Sequence, residues 1–441
     1  MVEIQIPEKV NKIIQTLQEH GYEAYAVGGC VRDSFLGREP MDWDITTSAM
    51  PEETKALFPH TFDTGIEHGT ITVLLDHEGF EVTTYRVDGK YEDSRHPKEV
   101  IFVRNLKEDL LRRDFTINAM AYNEKEGLVD IFGGMDDLKA GIIRCVGNAQ
   151  ARFSEDALRI LRGIRFAAQL GFELEDETRE GMRLLAPTLR KISAERIQVE
   201  LVKTLTSSRP DLLREAWKLG ITKEFLPEFD LAMETTQETV HHMYTVGEHI
   251  LHTLLEVRPD RILRLTMLLH DIGKPYMKTM DADGVAHFKG HPEKSSELAN
   301  EILHRLKFDN DTIRKVTKLV RYHDHRMPVT PAHVRRAIHE IGEDLFPLYL
   351  EVRRADVSAQ SMYQREEKVA DIDGVEKLYH EIMERNECVS LKMLAVTGKD
   401  LIAAGMKPGK EIGQMLEQFL DLVLEHPELN QKEELLKRIE L

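Results

Sequence analysis

Residues 27–44, VGGCVRDSFLGREPMDWD, restrict the fold more than any other stretch of the chain. An apolar run, Tyr25 to Val27, meets the pair Gly28–Gly29, an order that reads as a short strand ended by a turn. Glycines there let the backbone approach a phosphate chain closely with its N–H groups facing it. Val31 to Leu36 then reads as the first turns of a helix, whose amino end carries partial positive charge. Arg32 adds a fixed charge and Asp33 follows it directly. Asp42 and Asp44 occupy alternate positions of MDWDIT; as a strand, this segment points both carboxylates to one face, where they suit Mg2+. Glu81, in the strand-like FEVTTYR, is a candidate third carboxylate on a neighbouring strand. Hard cations held by such a set activate an attacking hydroxyl and stabilise a leaving pyrophosphate during in-line displacement.

Taken singly, a glycine pair is usually an ordinary turn, and an Asp-x-Asp is usually a solvated strand end. The ordered combination of strand, GG-x-VRD, helix and DxD resembles the head domain of the class II tRNA nucleotidyltransferase and bacterial poly(A) polymerase superfamily. LRRDFTINA at 111–119 and SEDALRILR at 154–162 extend the resemblance in the family's order. It implies that Gly28, Gly29, Arg32 and Asp33 face the incoming nucleotide and that Asp42 and Asp44 hold metals. It also implies that Arg113 contacts the triphosphate, and that Asp156, Arg159, Arg162 and Arg165 lie on a base-reading and phosphate-contacting helix.

The residues offer their own account of that helix. Asp156 and Arg159 are one turn apart, so an acceptor lies beside a donor. Cytosine and adenine present an amino donor next to a ring-nitrogen acceptor on the pairing edge, and uracil and guanine present the reverse order. A carboxylate next to a guanidinium therefore accepts C or A and refuses U and G. Without the upstream motifs the plainer reading is an exposed ion pair, with Glu155 and Arg159 also at salt-bridge spacing.

A length of 441 residues exceeds one compact core, so several domains are expected. From about Tyr25 to Val146 short β-rich runs alternate with helices; from Arg152 onward apolar positions recur at helical spacing. The expected fold is α+β: a small mixed α/β nucleotidyltransferase head at 1–147, a helical neck at 148–236, an HD domain at 237–365 and a helical tail at 366–441. Cys30, Cys145 and Cys388 lack paired or metal-ligand spacing and read as free thiols of a reducing compartment. No leader or membrane-length apolar run is seen, so a cytoplasmic protein without a membrane partner is expected. The net charge of −18 argues against RNA binding unless basic residues cluster locally. Arg112 with Arg113, the arginines from 159 to 165, and Arg190 with Lys191 are the candidates.

Between FEVTTYR and Val100 lies the polar stretch VDGKYEDSRHPKE, which reads as a loop. In the family a loop here accompanies the switch to adding the terminal A, so its full length favours complete CCA addition over CC-only addition. GMKPGKEIG at 405–413 reads as a glycine and lysine turn, and the last residues as an amphipathic helix.

A second constellation comprises VHHMYTVGEHILHT, LLHDIGKP, FKGHPEKS, LVRYHDHR and RRADVSAQ, starting at residues 240, 268, 288, 319 and 353. It resembles an HD metal-dependent phosphohydrolase domain. Imidazoles and carboxylates on successive helices suit a divalent transition metal such as Mn, Ni, Co or Fe. The resemblance makes His270 and Asp271 the core, His242 or His249 the first ligand, and Asp356 the last. His291 and His323 serve a second metal or a phosphate.

The resemblances together imply an Mg2+-dependent enzyme that builds the 3'-terminal CCA of tRNA from CTP and ATP, with tRNA held by its 3' end and acceptor arm. A-adding, CC-adding and poly(A)-adding enzymes are near neighbours. An HD phosphohydrolase with a nucleotide-sensing head is the alternative from another class.

Overall fold

The computed structural model describes residues 4–88 and 100–439, so the part of the polar stretch at 89–99 lies outside the described residues. The chain divides into two compact units, Met1–Pro227 and Glu228–Leu441. Among the described residues no helix is long and apolar enough to cross a membrane.

The first unit is built on the strand the opening motif predicts. Ala24–Val27 (β1) is buried along its whole length, which requires neighbours on both sides. These are Ile45–Thr47 (β2) and, across the chain, Met120–Asn123 (β8), both antiparallel to β1. Between them in sequence come Thr61–Gly65 (β3), Thr70–Leu75 (β4), Glu78–Thr84 (β5) and a separate antiparallel pair, Arg86–Asp88 (β6) with Val100–Phe102 (β7). Gly127–Asp130 (β9) closes a mixed seven-stranded sheet of order β3-β4-β5-β2-β1-β8-β9. Tyr25, Val27, Tyr85, Leu106, Leu110, Ala119, Ala121 and Val146 form a buried core against it; each large apolar side chain fully buried there contributes about 1.5–3 kcal/mol.

Two expectations are corrected here. MDWDIT is a strand only from Ile45, so Asp42 and Asp44 stand on the lead-in to β2 and not within it. The ladder reaches just past β2, where the Asp44 carbonyl accepts the Val27 N–H at 3.0 Å. Ile45 pairs with Val82 of β5 in parallel register, so Asp44 is level with Glu81 on the next strand. SEDALRILR is not one helix either. Ala149–Glu155 ends, and Leu158–Leu170 begins after a break at Asp156, whose backbone is extended (φ −137°, ψ 106°). Its carboxylate accepts the Leu158 N–H at 3.0 Å, a local bond that competes with continuing the helix. Helices Asp176–Leu185, Ala194–Leu205 and Leu213–Lys218 follow in this unit.

The second unit is almost entirely helical apart from a small hairpin, Thr279–Met280 with Ala286–His287. Helices Val246–Glu256, Arg261–Leu269, His291–Arg305, Asn310–Tyr322 and Phe346–Ser358 carry the histidine motifs. The apolar faces of Pro331–Ile341 and Phe346–Ser358 share a core with Val375 and Ile382 of the helix Arg365–Glu384. The lysine turn at 405–413 is shorter than read, because a helix already starts at Lys410. The C-terminal segment holds a 3-10 turn at Pro427–Leu429 and a short helix at Lys432–Leu436.

Candidate active site

In the first unit, the end of β1, the segment after helix Leu106–Leu111 and the helix Leu158–Leu170 enclose a cavity of about 500 Å3. Gly28, Gly29, Arg32, Asp44, Arg113, Asp156, Arg159, Arg162 and Arg165 all line it, whereas Asp33, Asp42 and Glu81 are not among its walls. Gly28 turns the chain out of β1 at φ +82°. A Cβ at that position would lie 2.9 Å from Arg113 Nη1, so glycine is needed both for the turn and for the arginine to reach the cavity.

The arginines are held in place from behind. Arg32 grips both oxygens of Asp33 at 2.9 Å and donates through Nη1 to Asn118 Oδ1 at 2.6 Å. Asn118 in turn donates to Asp114 Oδ1 at 3.1 Å, and Asp114 Oδ2 accepts Arg162 Nε at 2.7 Å. Burial alone would raise the Asp114 carboxyl, but Arg162, Asn118 and Arg159 outweigh it and bring it to about 2. Asp109, fully buried, anchors Arg112 at 2.8 Å and Arg113 at 3.5 Å. The Phe166 ring supports Arg165, Arg32 and Arg162 at 4.0, 5.1 and 5.3 Å from its centroid. The walls carry seven arginines against three aspartates, so a chain of strongly negative total charge presents a positive cavity with the dimensions of a nucleotide site.

Asp44 is the member of the carboxylate pair that lines this cavity. Crowding by its surroundings and repulsion from Asp42 raise its carboxyl, against the pull of Arg113. Neither Asp42 nor Asp44 makes an ion pair of 4.0 Å or less with another described residue. A pair of unpartnered, mutually repelling carboxylates beside a positive cavity fits a divalent cation.

Asp156 and Arg159 both face the cavity, but each is engaged elsewhere. Asp156 Oδ2 accepts Arg196 Nη2, from the helix Ala194–Leu205, at 2.7 Å. Arg159 pairs with Glu155 at 2.7 Å and donates to the Arg112 carbonyl at 2.8 Å. Asp114, Asn118, Phe166 and Arg196 are wall residues that sequence reasoning did not single out, and Arg112 entered it only as half of a basic pair. Asp114 and Asn118 sit inside LRRDFTINA, at a spacing of four that could have signalled a pair; Arg196 had no local signal. Cys30 and Cys145 are buried, and burial pushes their thiols up to about 11 and about 12, as expected of inert free cysteines.

The second unit brings its histidine motifs together. His249 Nε2 lies 2.9 Å from Asp356 Oδ1 and 3.4 Å from His270 Nε2. Asp271 is buried at the centre with its oxygens divided. Oδ2 faces His270 at 3.3 Å and His249 at 3.6 Å, and Oδ1 faces His291 at 3.3 Å and His323 at 3.4 Å. Lys274 Nζ approaches Oδ2 at 2.7 Å. His270, His291 and His323 point Nδ1 at the carbonyls of Met267, Phe288 and Val320, at 2.7, 2.9 and 2.6 Å. Carbonyls only accept, so Nδ1 carries the proton and the Nε2 lone pairs converge. Two overlapping ligand groups result, His249–His270–Asp271 and Asp271–His291–His323. His242 packs edge-on against His249, with ring centroids 4.9 Å apart, but belongs to neither group. Its Nε2 is 3.4 Å from Lys274 Nζ, and burial, Lys274 and His249 press its imidazole down to about 2. Buried imidazoles around a carboxylate whose oxygens are met only at 3.3–3.6 Å by those rings fit divalent transition metals.

Comparison with known proteins gives these cavities their context. The family described as "Poly A polymerase head domain" matches residues 24–144, and "Probable RNA and SrmB- binding site of polymerase A" matches residues 171–233. A tRNA nucleotidyltransferase domain 2 family matches residues 287–439. The CCA-adding enzyme of Limosilactobacillus reuteri is 35% identical, covering 98% of this chain and 96% of its own length. That of Levilactobacillus brevis is 36% identical, covering 93% and 91%. Among solved structures, the Bacillus stearothermophilus CCA-adding enzyme in complex with CTP superposes with a TM-score of 0.69 at 29% identity, covering 96% of this chain and 94% of that one. The Thermotoga maritima CCA-adding enzyme complexed with tRNA shares the fold at a TM-score of 0.61 and 22% identity, covering 99% and 97%. Similarity of this extent, over nearly the whole of both chains, means that the chain belongs to the CCA-adding enzymes, which are tRNA nucleotidyltransferases.

Proposed function

We propose that the chain adds C, C and A in turn to the 3' end of tRNA, using CTP and ATP and releasing pyrophosphate. The observation that carries the reading is the arginine-lined cavity at the glycine turn, with Asp44 on its wall and Asp42 two residues before it in the chain. Arg32, Arg113, Arg162 and Arg165 hold the triphosphate, Gly28 and Gly29 let the backbone approach it, and Asp33 fixes Arg32. Asp42 and Asp44 hold Mg2+, with Glu81 as a third carboxylate; the cation supplies activation of the attacking hydroxyl and charge neutralisation at the α-phosphate. Asp156 accepts from the amino group of C or A and Arg159 donates to the neighbouring ring nitrogen, once Arg159 turns from Glu155. The four segments 1–147, 148–236, 237–365 and 366–441 are our assignment of head, neck, HD domain and tail.

The test is a gel assay with Mg2+ on tRNA transcripts ending before C, after C and after CC, with each NTP singly and CTP plus ATP together. Growth by C, C and A followed by arrest is the expected result. Extension only after CC, arrest after two Cs, or long A tails would assign the chain to A-adding, CC-adding or poly(A) enzymes instead.

The convergent histidines and aspartates support a second activity, hydrolysis of phosphate esters in the manner of an HD domain. His249, His270, Asp271 and Asp356 form one ligand set and Asp271, His291 and His323 another; Mn, Ni, Co or Fe bound there supplies a nucleophile and charge stabilisation at phosphorus. Lys274, ion-paired to Asp271, stands at the wall to neutralise a phosphate oxygen. Metal-loaded protein that adds nucleotides but hydrolyses neither cyclic nor terminal phosphates would refute this second activity.

A further inference from the structure

Behind the wall of the nucleotide cavity, Glu155 divides its carboxylate between two arginines. Oε1 faces Arg152 Nη2 at 2.5 Å, and Oε2 accepts Arg159 Nη1 at 2.7 Å. Arg152 lies one turn earlier on the helix Ala149–Glu155, and Arg159 reaches back across the break at Asp156. The Arg152, Glu155 and Arg159 side chains are 18%, 26% and 10% exposed, so water screens their charges poorly. Both arginines also reach one stretch of main chain. Arg152 Nη1 donates to the Leu111 carbonyl at 3.1 Å and Arg159 Nη2 to the Arg112 carbonyl at 2.8 Å, directly before Arg113. Arg159 lines the cavity and Arg152 does not. Whatever Arg152 contributes to nucleotide addition therefore passes through Glu155 or through the Leu111 carbonyl.

Glu155 sets a condition on base reading. It supplies the one ion pair of Arg159 within 4.0 Å among the described residues. To donate to a base, Arg159 gives up that bond, and a carboxylate three-quarters buried would then stand charged and alone. Leaving a buried charge without its partner costs more than the pair itself is worth. Arg152 removes that cost, because Oε1 keeps its cation while Oε2 releases Arg159.

We infer that Arg152 is a positioning residue for base selection, holding Glu155 so that Arg159 is free to turn to the base. This rests on reading Asp156 and Arg159 as the base-reading pair. Without Arg152, Glu155 has Arg159 as its sole cation and retains it. C and A then lose the donor to their ring nitrogen. U and G present a ring N–H at that position and gain nothing from Arg159, so they lose nothing. Selectivity falls, and triphosphate binding by Arg32 and Arg113 is left in place.

The experiment uses the full chain with Mg2+ and a tRNA transcript ending before the first C, and reads the ratio of kcat/KM for CTP to that for UTP. Arg152→Gln keeps a donor for the Leu111 carbonyl and loses the charge; Arg152→Lys keeps the charge. The ratio is expected to fall at least tenfold in Arg152→Gln, through CTP, and to stay within threefold of wild type in Arg152→Lys. Adding Glu155→Gln to Arg152→Gln is expected to return the ratio to within threefold of Glu155→Gln alone, because a neutral amide releases Arg159 unaided. A ratio unmoved in Arg152→Gln, or lowered there and not restored by Glu155→Gln, overturns the inference. If Arg152→Gln is unfolded at the assay temperature, Arg152→Lys decides: a ratio within threefold of wild type supports the role of the charge, and a larger loss refutes it. Arg159→Met separates this inference from the reading beneath it. An unchanged ratio there removes the base-reading pair and the positioning role with it. A relaxed ratio there beside an unmoved Arg152→Gln removes the positioning role alone.

Discussion

Asp114 is the buried joint between two walls of the nucleotide cavity, and its replacement by asparagine tests whether the arginines are pre-organised as described. In the wild type, Asp114 takes Arg162 on one oxygen and Asn118 on the other, and Asn118 holds Arg32. The carboxyl falls from an ordinary 3.8 to about 2 despite burial. That depression corresponds to about 2 kcal/mol, discounted because the Arg162 side chain is one-third exposed. Because the folded carboxyl is depressed, this stabilisation is complete above pH 4 and is lost as the pH falls from about 4 towards 2. Both tryptophans, Trp43 and Trp217, lie in the first unit, so intrinsic fluorescence reports its unfolding apart from the second. With about 2–4 °C per kcal/mol for a unit of this size, Asp114→Asn should lower the fluorescence melting temperature by roughly 4–8 °C at pH 7. The gap should close towards pH 2.5. KM for CTP and ATP should rise at least tenfold, since Arg162 and Arg32 lose a common anchor. A variant that melts within 1 °C of wild type at pH 7, or keeps its deficit undiminished in acid, refutes the charge-pair account.

Asp42→Ala should abolish nucleotide addition while phosphate-ester hydrolysis by the histidine cluster persists; retained addition in the gel assay would remove Asp42 from the mechanism. Asp156→Ala should relax base choice more than it weakens triphosphate binding, and Arg196→Met should do so in the same direction because Arg196 holds the Asp156 carboxylate; unchanged exclusion of UTP and GTP rejects the pairing scheme. Gly28→Ala places a Cβ against Arg113 in a backbone region that L-residues avoid, costing about 1–3 kcal/mol. Its addition rate should drop even at temperatures where fluorescence shows it folded. His249→Asn should reduce bound Mn2+ measured by elemental analysis at least tenfold, whereas His242→Asn should leave metal content within twofold.

Local motifs made the head legible. Strand, glycine turn and arginine lie within residues 24–35, so their placement follows from spacing and backbone preference. What sequence reading lost was decided by tertiary contacts. The strand before Ile45 fails because the ladder from β1 reaches only to the Asp44 carbonyl. The helix expected across SEDALRILR breaks because the Asp156 carboxylate bonds the Leu158 N–H, a local choice that hydrophobic periodicity does not register. Arg196, forty positions beyond Asp156, enters the cavity through packing of two helices and has no signature at either end. In the second unit the motifs named the histidines, but only the geometry separates His249, with its Nε2 in the cluster, from His242, with its Nε2 towards Lys274.

Net charge was the weakest guide, and the cavity explains why. Seven arginines face it, yet Asp33, Asp109, Glu155 and Glu200 stand directly behind Arg32, Arg112, Arg159 and Arg165. Each carboxylate fixes its guanidinium and offsets its charge seen from a distance, while the inward N–H groups stay aimed at the cavity. The positive charge of these walls is therefore felt mainly inside the cavity. The net charge of −18 meanwhile discourages unspecific binding to nucleic-acid backbone. A tRNA nucleotidyltransferase gains from that division: the total charge opposes unspecific RNA binding, and the arginine-lined cavity keeps a local place for anions.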